Sequence, residues 1–318
     1  MPSPEKGHRP MAISSSETLA LPPLQARRGL QAPPWLPGMW LMAPTVLFLL
    51  VCFLYPVLHV MTLSVTAQTV DGANVDGWTL ANYTRLFSVD LYLRILLRTL
   101  RIAALACVCC VVLAYPLALG IARGTPLMAR LVTVAVVAPL LVNVVVRAYG
   151  WSAILSRNGA LNQVIKGLGI ADNPGQLLYT EWAVLIACVH VYLPFMVMPL
   201  AQAISRIDRS VEEAARIAGA TRLQTFWRVV FPLSLPGLSV GVSLVFSLSA
   251  AAYVMPQILG GNFSPLLGTL IEQQIVSLSD WPFAAAIACL LIVVVLASNI
   301  VFLRFFNRRF ARWTAGAR

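Results

Sequence analysis

The segment 205–237, SRIDRSVEEAARIAGATRLQTFWRVVFPLSLPG, is a long polar interruption in the very apolar C-terminal half of the sequence. Ser205 followed by Asp208 is a typical start of a helix, and Gly219 is a typical stop. Between them, apolar residues recur with the 3.6-residue period of a helix, at Ile207, Val211, Ala214 and Ala218. We therefore predict an amphipathic helix that ends at a glycine corner in this segment, which we call the 205–237 loop.

A second helix is predicted directly after the corner. Thr221 and Gln224 have the T-x-x-Q spacing of a capping box, and the helix should run from about Leu223 until Pro232, which lacks a backbone N–H, ends it. Small residues around the corner leave its backbone accessible to another protein surface, with Phe226 and Trp227 as apolar contacts. An amphipathic loop that only lies on its own helical bundle explains the pattern equally well.

The composition places the whole chain in a membrane. Hydrophobic residues make up 59% of the 318 residues, charged residues make up 11%, and the mean hydropathy is +0.80. These values lie outside the range of soluble domains. The net charge of +11 is typical of some nucleic-acid-binding proteins, but no basic patch is interleaved with aromatic residues. We therefore expect that the chain lies in membrane lipid and has no nucleic-acid partner.

Six apolar segments are long enough to cross about 30 Å of hydrocarbon as helices. They are residues 40–62, 96–122, 131–150, 181–203, 237–259 and 282–305. The sequence therefore predicts an all-α integral membrane protein with six transmembrane helices, in a domain that covers residues 40–306.

The charged residues predict how these helices are oriented. Residues 1–39 are rich in Pro and Ser and read as a disordered basic tail, with no signal-peptide core or cleavage site. Residues 307–318 form a second basic tail. Sixteen of the 23 Lys and Arg residues lie on the face that holds both tails and the 205–237 loop. The positive-inside rule therefore predicts that this face is cytoplasmic.

Polar residues within or beside the predicted spans are candidates for a translocation path, because hydrocarbon disfavours them. The candidates are Asn143, Arg147, Ser239, Ser243, Ser247 and Tyr253. Serines at this spacing equally favour close helix packing, and Asn143 and His190 are more typical of groups satisfied inside a bundle. Three outer arginines share one face of the second span: Arg94, Arg98 and Arg101. They either snorkel toward water or line a polar surface, and snorkelling is the favoured interpretation.

Catalytic and nucleotide-binding patterns do not occur in the sequence. All six cysteines fall in apolar spans, where a thiol behaves as a small hydrophobe, so we predict neither a disulfide framework nor a metal site. A phosphate-binding P-loop needs Gly-Lys followed by Ser or Thr, whereas Lys6 and Lys166 are both followed by glycine. We expect no enzyme activity and no cofactor bound by this chain, so ATP would have to be bound by a partner.

The 205–237 loop resembles the EAA loop of permease subunits in binding-protein-dependent type I ABC importers. The matching residues are Glu213, Ala214, Ala215, Gly219, Ala220, Phe226, Pro232 and Pro236, while Phe231 replaces a common leucine. The resemblance implies a type I ABC importer permease fold, in which these residues dock on a cytoplasmic ATPase dimer. Glu213 and Gly219 are the strongest candidates, for a contact at the docking surface and for the corner.

Two further stretches are similar to permeases of the spermidine/putrescine type. They are the Arg147-x-Tyr149-x-Trp151 run and Leu80-x-Asn82-Tyr83. The resemblance implies a bacterial inner-membrane subunit that works with a second permease and an extracytoplasmic solute-binding protein. The implied substrate is a small hydrophilic solute such as a polyamine, and other organic cations fit equally. The alternative is an ion-coupled secondary transporter or channel in which the loop is merely structural, although no Asp or Glu lies deep in a predicted span.

Overall fold

Helices form nearly all of the regular structure in the computed structural model. It describes the backbone of residues 35–67, 75–169, 175–261 and 264–315, and the side chains of 42–67, 77–169, 175–261 and 264–306. The helices are α1 (Trp35–Leu49), α2 (Tyr55–Leu63), α3 (Ala81–Ser88), α4 (Asp90–Arg123), α5 (Pro126–Val137), α6 (Val144–Leu155), α7 (Ala160–Gly167), α8 (Glu181–Ser205), α9 (Arg209–Ile217), α10 (Arg222–Thr225), α11 (Phe231–Ala250), α12 (Leu267–Val276) and α13 (Trp281–Ala315).

The chain divides into two units, one that ends at Tyr55 and one that begins at Pro56. The described part of the first unit contains α1 and a π-helical turn over Leu50–Leu54. Helix α1 begins at Trp35, five residues before the predicted start of the first span. Residues 1–34 of the predicted tail lie outside the described residues. At the other end of the chain, α13 continues to Ala315, into the segment predicted as a basic tail.

Five helices in the described part are long and apolar enough to cross a membrane. They are Met42–Leu63, Asp90–Arg123, Glu181–Ser205, Arg222–Ala250 and Trp281–Phe306. Two further helical segments, Pro126–Leu141 and Val144–Gly167, form a bent pair with an angle of 102° between its halves. With the bent pair taken as one span, six crossings are present, and the predicted helical membrane fold is confirmed.

The third span is broken, so the prediction of a continuous helix over 131–150 is wrong. Helix α5 tightens into a 3₁₀ turn over Ala138–Leu141, which contains Pro139. A new helix then begins after Asn143, whose Oδ1 accepts a hydrogen bond from the Val145 N–H at 2.8 Å. A residue that satisfies a free N–H in this way favours the start of a helix over its continuation.

The core lies where α8 packs between α4 and α11, and α11 in turn packs against α13. Small side chains allow this close approach. A Cβ atom added at Gly237 would lie 2.6 Å from the carbonyl oxygen of Pro199, and one added at Gly241 would lie 3.2 Å from the Cα of Met196. The two glycines of α11 therefore set its distance from α8.

A two-stranded antiparallel ribbon follows α2, an addition to the predicted all-α fold. It pairs β1 (Thr66–Ala67) with β2 (Val75–Trp78). The Asp76-Gly77 pair, a dipeptide typical of turns, lies in β2. The buried Asn82 amide of α3 donates hydrogen bonds to the carbonyl oxygens of Ser64 and Thr66, at 3.0 and 2.9 Å. This explains the Leu-x-Asn-Tyr stretch, because the asparagine joins the ribbon to α3.

Helix α3 is fastened to the start of α13 by an ion pair that the sequence analysis did not predict. Arg85 Nη1 lies 2.8 Å from Oδ2 of the buried Asp280, and its guanidinium lies 4.1 Å from the centre of the Phe283 ring. Burial lowers the pKa of Arg85, but the hydrogen bond and charge of Asp280, together with Tyr92, raise it overall. Asp280 also accepts a hydrogen bond from the Phe283 N–H through Oδ1.

Candidate functional site

The first helix of the 205–237 loop is α9. Asp208 caps it, because its Oδ1 accepts a hydrogen bond from the Ser210 N–H at 3.0 Å. The hydrogen bonds from Ser210, and then the charge of Arg123, lower the pKa of the Asp208 carboxyl. Gly219 follows the helix with a φ of +89°, a conformation that glycine adopts without strain. The predicted helix and its glycine stop are confirmed, although Ser205 ends α8 instead of starting α9.

The second helix of the loop begins with the predicted capping box. Thr221 Oγ1 accepts from the Gln224 N–H at 3.3 Å, and Gln224 Oε1 accepts from the Thr221 N–H at 2.9 Å. The prediction that Pro232 ends this helix is wrong, since the helix is continuous over Arg222–Ala250. A π-helical turn over Phe226–Val230 directly precedes α11, so the helix passes through Pro232 where its hydrogen-bond pattern changes.

The loop is held to the bundle by Glu212, which the sequence analysis passed over. Arg123, the last residue of α4, places Nε 2.9 Å from Glu212 Oε1 and Nη2 2.7 Å from the carbonyl oxygen of Ile207. The two side chains are only 18% and 12% exposed. Because successive helical residues are rotated by about 100°, the neighbouring Glu213 faces elsewhere and is exposed. The helical periodicity of the sequence could therefore have shown that Glu212 and Glu213 point in different directions.

The aromatic residues of the loop also divide into inward and outward groups. Phe226 and Phe231 pack on Tyr115 of α4, with ring centres 5.3 and 5.8 Å apart, and the Tyr115 hydroxyl lies 3.0 Å from Ser234 Oγ. Trp227 is exposed. The large apolar side chains that the loop leaves exposed are Val211, Ile217, Leu223, Trp227 and Leu233. Of the matched loop residues, Glu213, Ala214, Gly219 and Pro236 are exposed, Ala215, Ala220 and Phe226 are half-buried, and Pro232 is buried.

A cavity of about 640 Å³ opens where the loop joins the bundle, between α8, α9 and α11. Its polar lining comes from Gln202, Arg206 and Asp208, while Pro236 and Gly237 of α11 line the opposite side. The loop therefore does not lie flat on the helices over its whole length.

The candidates for a polar path in the third span lie on both sides of its break. Asn143 caps α6 and is exposed. Arg147 lies one turn later, within electrostatic range of His190 and Tyr192 on α8. Its Nε and Nη1 are buried and have no hydrogen-bond partner among the described residues. His190 is satisfied within the bundle, as expected, because Trp151 Nε1 donates to its Nδ1 at 3.2 Å.

The candidate serines all lie on α11. Ser239 and Ser247 donate to carbonyl oxygens of their own helix, of Pro236 and Ser243. Ser247 also accepts a hydrogen bond from the Asn299 amide of α13 at 2.9 Å, a bond of the kind that the packing interpretation predicts. Ser243 Oγ is buried without a partner in the described ranges. Helix α11 ends at Ala250, not at 259, so Tyr253 lies beyond the helix and is exposed. A polar path along these residues stays a prediction.

The fold and the 205–237 loop together define a multi-pass membrane protein of the transport-component class. Residues 77–312, which include the loop, match the family described as binding-protein-dependent transport system inner membrane component. The chain belongs to this family and is a permease of the bacterial inner membrane. This assignment favours the importer over the ion-coupled alternative.

Relatives support the same assignment. The spermidine/putrescine transport system permease protein PotB of Escherichia coli (strain K12) is 37% identical over 227 residues, which cover 71% of this chain and 82% of that protein. The protein of the same name from Haemophilus influenzae is 33% identical over 261 residues, or 81% of this chain and 91% of that protein.

A solved structure confirms the predicted type I ABC importer permease fold. The crystal structure of a bacterial ABC transporter involved in the import of the acidic polysaccharide alginate matches 86% of this chain and 96% of that chain. The TM-score is 0.67 at 18% sequence identity, so the likeness concerns the fold alone.

Proposed function

We propose that this chain is the permease subunit of an ABC importer for polyamines such as spermidine and putrescine. The observation that carries the proposal is the 37% identity to a spermidine/putrescine permease across 82% of that protein's length. The stretches that carry the resemblance also make structural contacts. Trp151 joins α6 to His190 of α8, and Asn82 joins α3 to the ribbon.

The energy for transport comes from a separate cytoplasmic ATPase dimer that binds ATP and docks on the 205–237 loop. The exposed loop side chains that supply this contact are acidic, basic and apolar, among them Glu213, Arg216, Ile217, Leu223 and Trp227. The corner at Gly219 positions α9 and α10 as two short arms. We place the loop and both chain termini in the cytoplasm, because most Lys and Arg residues lie on that face of the predicted topology.

Two connections carry a displacement of the loop into the membrane. The Arg123–Glu212 pair joins α9 to the end of α4, and the continuous helix Arg222–Ala250 joins the loop to α11. Closure of the ATPase dimer then favours one arrangement of α4 and α11 over another. A ligand shifts such an equilibrium only through different contacts in the two states, and the docked loop supplies those contacts.

A second permease and an extracytoplasmic solute-binding protein complete the importer. Arg147 is cationic, so it is not a ligand for a polyamine. We place the selection of the substrate mainly on the binding protein, with the path through this chain lined by neutral groups such as Ser243.

The test is uptake of radiolabelled spermidine and putrescine by cells that lack their own polyamine importers and express this chain with its ATPase, second permease and binding protein. Uptake that requires all four components, and that a hydrolysis-deficient ATPase abolishes, supports the proposal. An assembled complex that imports neither polyamine would refute the substrate. Flux in liposomes containing the purified chain without an ATPase, driven by an ion gradient, would instead restore the ion-coupled alternative.

A further inference from the structure

Three arginines mark the end of α4 that lies opposite the 205–237 loop. Arg94, Arg98 and Arg101 share one helix face, while Arg123 ends the same helix. Arg101 precedes Arg123 by 22 residues, or about 33 Å of helix, close to the thickness of about 30 Å of the hydrocarbon core. With Arg123 at one membrane interface, Arg101 therefore reaches the other, and Arg98 and Arg94 lie in the headgroup layer beyond it.

These guanidinium groups are only partly neutralised by the acids beside them. Glu181, the first residue of α8, lies 3.0 Å from Arg98 Nε through Oε1 and pairs with Arg101 through Oε2. Arg94 lies 3.9 Å from Asp90, and both of those side chains are well exposed. Within this described cluster three positive charges face two carboxylates, which leaves a net positive charge. Each guanidinium carries five N–H donors, and the contacts with Glu181 leave most of them for another acceptor.

Two adjoining cavities continue from this cluster along the membrane face. The first, of about 280 Å³, is lined by the three arginines, Leu97 and Glu181. The second, of about 230 Å³, is lined by Arg101, Glu181, Ile102, Leu105, Trp182 and Leu185. The first is charged and lies at headgroup level, whereas the second is mainly apolar and extends one turn deeper along α4. Trp182 is 64% exposed, and exposed tryptophans are typical of the interface between headgroups and acyl chains.

From this arrangement we infer that the outer end of α4 and α8 binds an anionic phospholipid, with its phosphate on the Arg94, Arg98 and Arg101 cluster and an acyl chain in the cavity beside Leu105 and Trp182. Guanidinium groups bind phosphate through paired, charge-assisted hydrogen bonds. The headgroup joins arginines of α4 that already contact Glu181 of α8, so the lipid stabilises the packing of these two helices at the interface. The inference requires only that α4 crosses the membrane and does not depend on the transported substrate.

Native mass spectrometry of the full chain in mild detergent tests the site. The protein is titrated with phosphatidylglycerol and with phosphatidylcholine of the same acyl chains. We expect phosphatidylglycerol to bind about tenfold more tightly, because phosphatidylcholine brings a choline cation close to the net positive cluster, whereas the glycerol of phosphatidylglycerol is neutral. Arg94→Gln/Arg101→Gln should lose most of this preference. The matched control is Arg157→Gln/Lys166→Gln, which removes two exposed charges predicted for the same membrane face and should keep the preference.

Other outcomes overturn the inference. Equal binding of both lipids by the unaltered protein, or a double variant that keeps the preference, would rule out an anionic-phospholipid site on this cluster. Displacement of phosphatidylglycerol by millimolar inorganic phosphate would replace the lipid with a soluble anion. If the double variant is not recovered as a monodisperse protein, Leu105→Trp keeps every charge and fills the apolar cavity. It should weaken phosphatidylglycerol binding several-fold, and unchanged binding would contradict the acyl-chain assignment.

Discussion

Neighbouring residues in the 205–237 loop have opposite surroundings, and Glu212 and Glu213 are the clearest case. Glu212 is 12% exposed and pairs with Arg123 of α4, whereas Glu213 is exposed to solvent. The first therefore acts inside this chain, and the second is free to act on a partner.

Glu212→Gln should destabilise the protein, because it leaves the mostly buried Arg123 guanidinium without a carboxylate. We expect a loss of about 1–3 kcal/mol, measured by thermal unfolding in detergent. Glu213→Gln is the matched control and should change stability by no more than about 0.5 kcal/mol, while it lowers uptake if Glu213 contacts the ATPase. Equal stability losses in the two variants would contradict the different roles.

Gly219→Ala tests the corner of the loop. No atom lies within 4 Å of an added Cβ, so the effect comes from the backbone φ of +89° alone. That strain amounts to about 1–2 kcal/mol for a residue with a Cβ, and we expect uptake to fall while the amount of protein in the membrane is kept.

The control for the corner is Gly167→Ala at the end of α7, where φ is not positive and an added Cβ also meets no atom. This substitution should leave both uptake and stability unchanged or improve stability slightly, because alanine favours a helix over glycine. Full uptake by Gly219→Ala would show that the corner tolerates a side chain and does not require glycine.

At the scale of elements, the approach of α11 to α8 depends on glycine. Gly237→Val would place a branched side chain against the Pro199 carbonyl and the Ala203 side chain. We expect the two helices to separate, with a loss of stability of about 1–3 kcal/mol or more, seen as a lower unfolding temperature and a poorly monodisperse protein. Gly150→Val on α6, where no atom lies within 4 Å of an added Cβ, should behave like the unaltered chain; similar losses in both variants would count against close packing as the cause.

Elements were predictable from the sequence wherever their signals are local. Thr221 and Gln224 satisfy each other's backbone, and Gly219 follows an amphipathic repeat, so both could be placed from neighbours in the chain. The helix break at Asn143 and the continuation of the helix through Pro232 could not be predicted in this way, because a single polar residue or proline within an apolar run is compatible with several backbone conformations. Packing selects among these conformations. Phe226 and Phe231, at the two ends of the π-helical turn, both contact Tyr115, which precedes them in the chain by 111 and 116 residues.

Contacts between distant segments were the least predictable part of the candidate site. Arg123 and Glu212 lie 89 positions apart, and Ser247 and Asn299 lie 52 apart. The spacing of residues along one helix does not predict which side chain of another helix will contact it. The resemblance to known permeases selected eight residues of the loop, but it did not separate those that face the bundle from those that face outward.

For the whole molecule, the proposed topology is open to a direct test. A fluorescent protein fused after Arg318 should fluoresce, and alkaline phosphatase at the same position should be inactive, because we expect the C-terminus in the cytoplasm. Fusions after Gly169 should give the reverse pattern, since an odd number of spans precedes this position. Alkaline phosphatase activity of the fusion after Arg318 would show that the orientation of the chain is the reverse of the predicted one. The 205–237 loop would then lie outside the cytoplasm, where it could not contact the ATPase.

The π-helical turn at Phe226–Val230 has a consequence for how the two ends of one helix are phased. A π-helical turn holds one residue more than the α-helical turn that it replaces, and each residue of an α-helix advances the azimuth by about 100°. The turn therefore determines the angle between the azimuth of Leu223 in the loop and that of Ser243 in the bilayer. Deleting one residue from the turn would leave the segments on both sides helical and unchanged in length. It would rotate the side chains of the loop relative to those in the bilayer by about 100°, which is more than a quarter of a revolution.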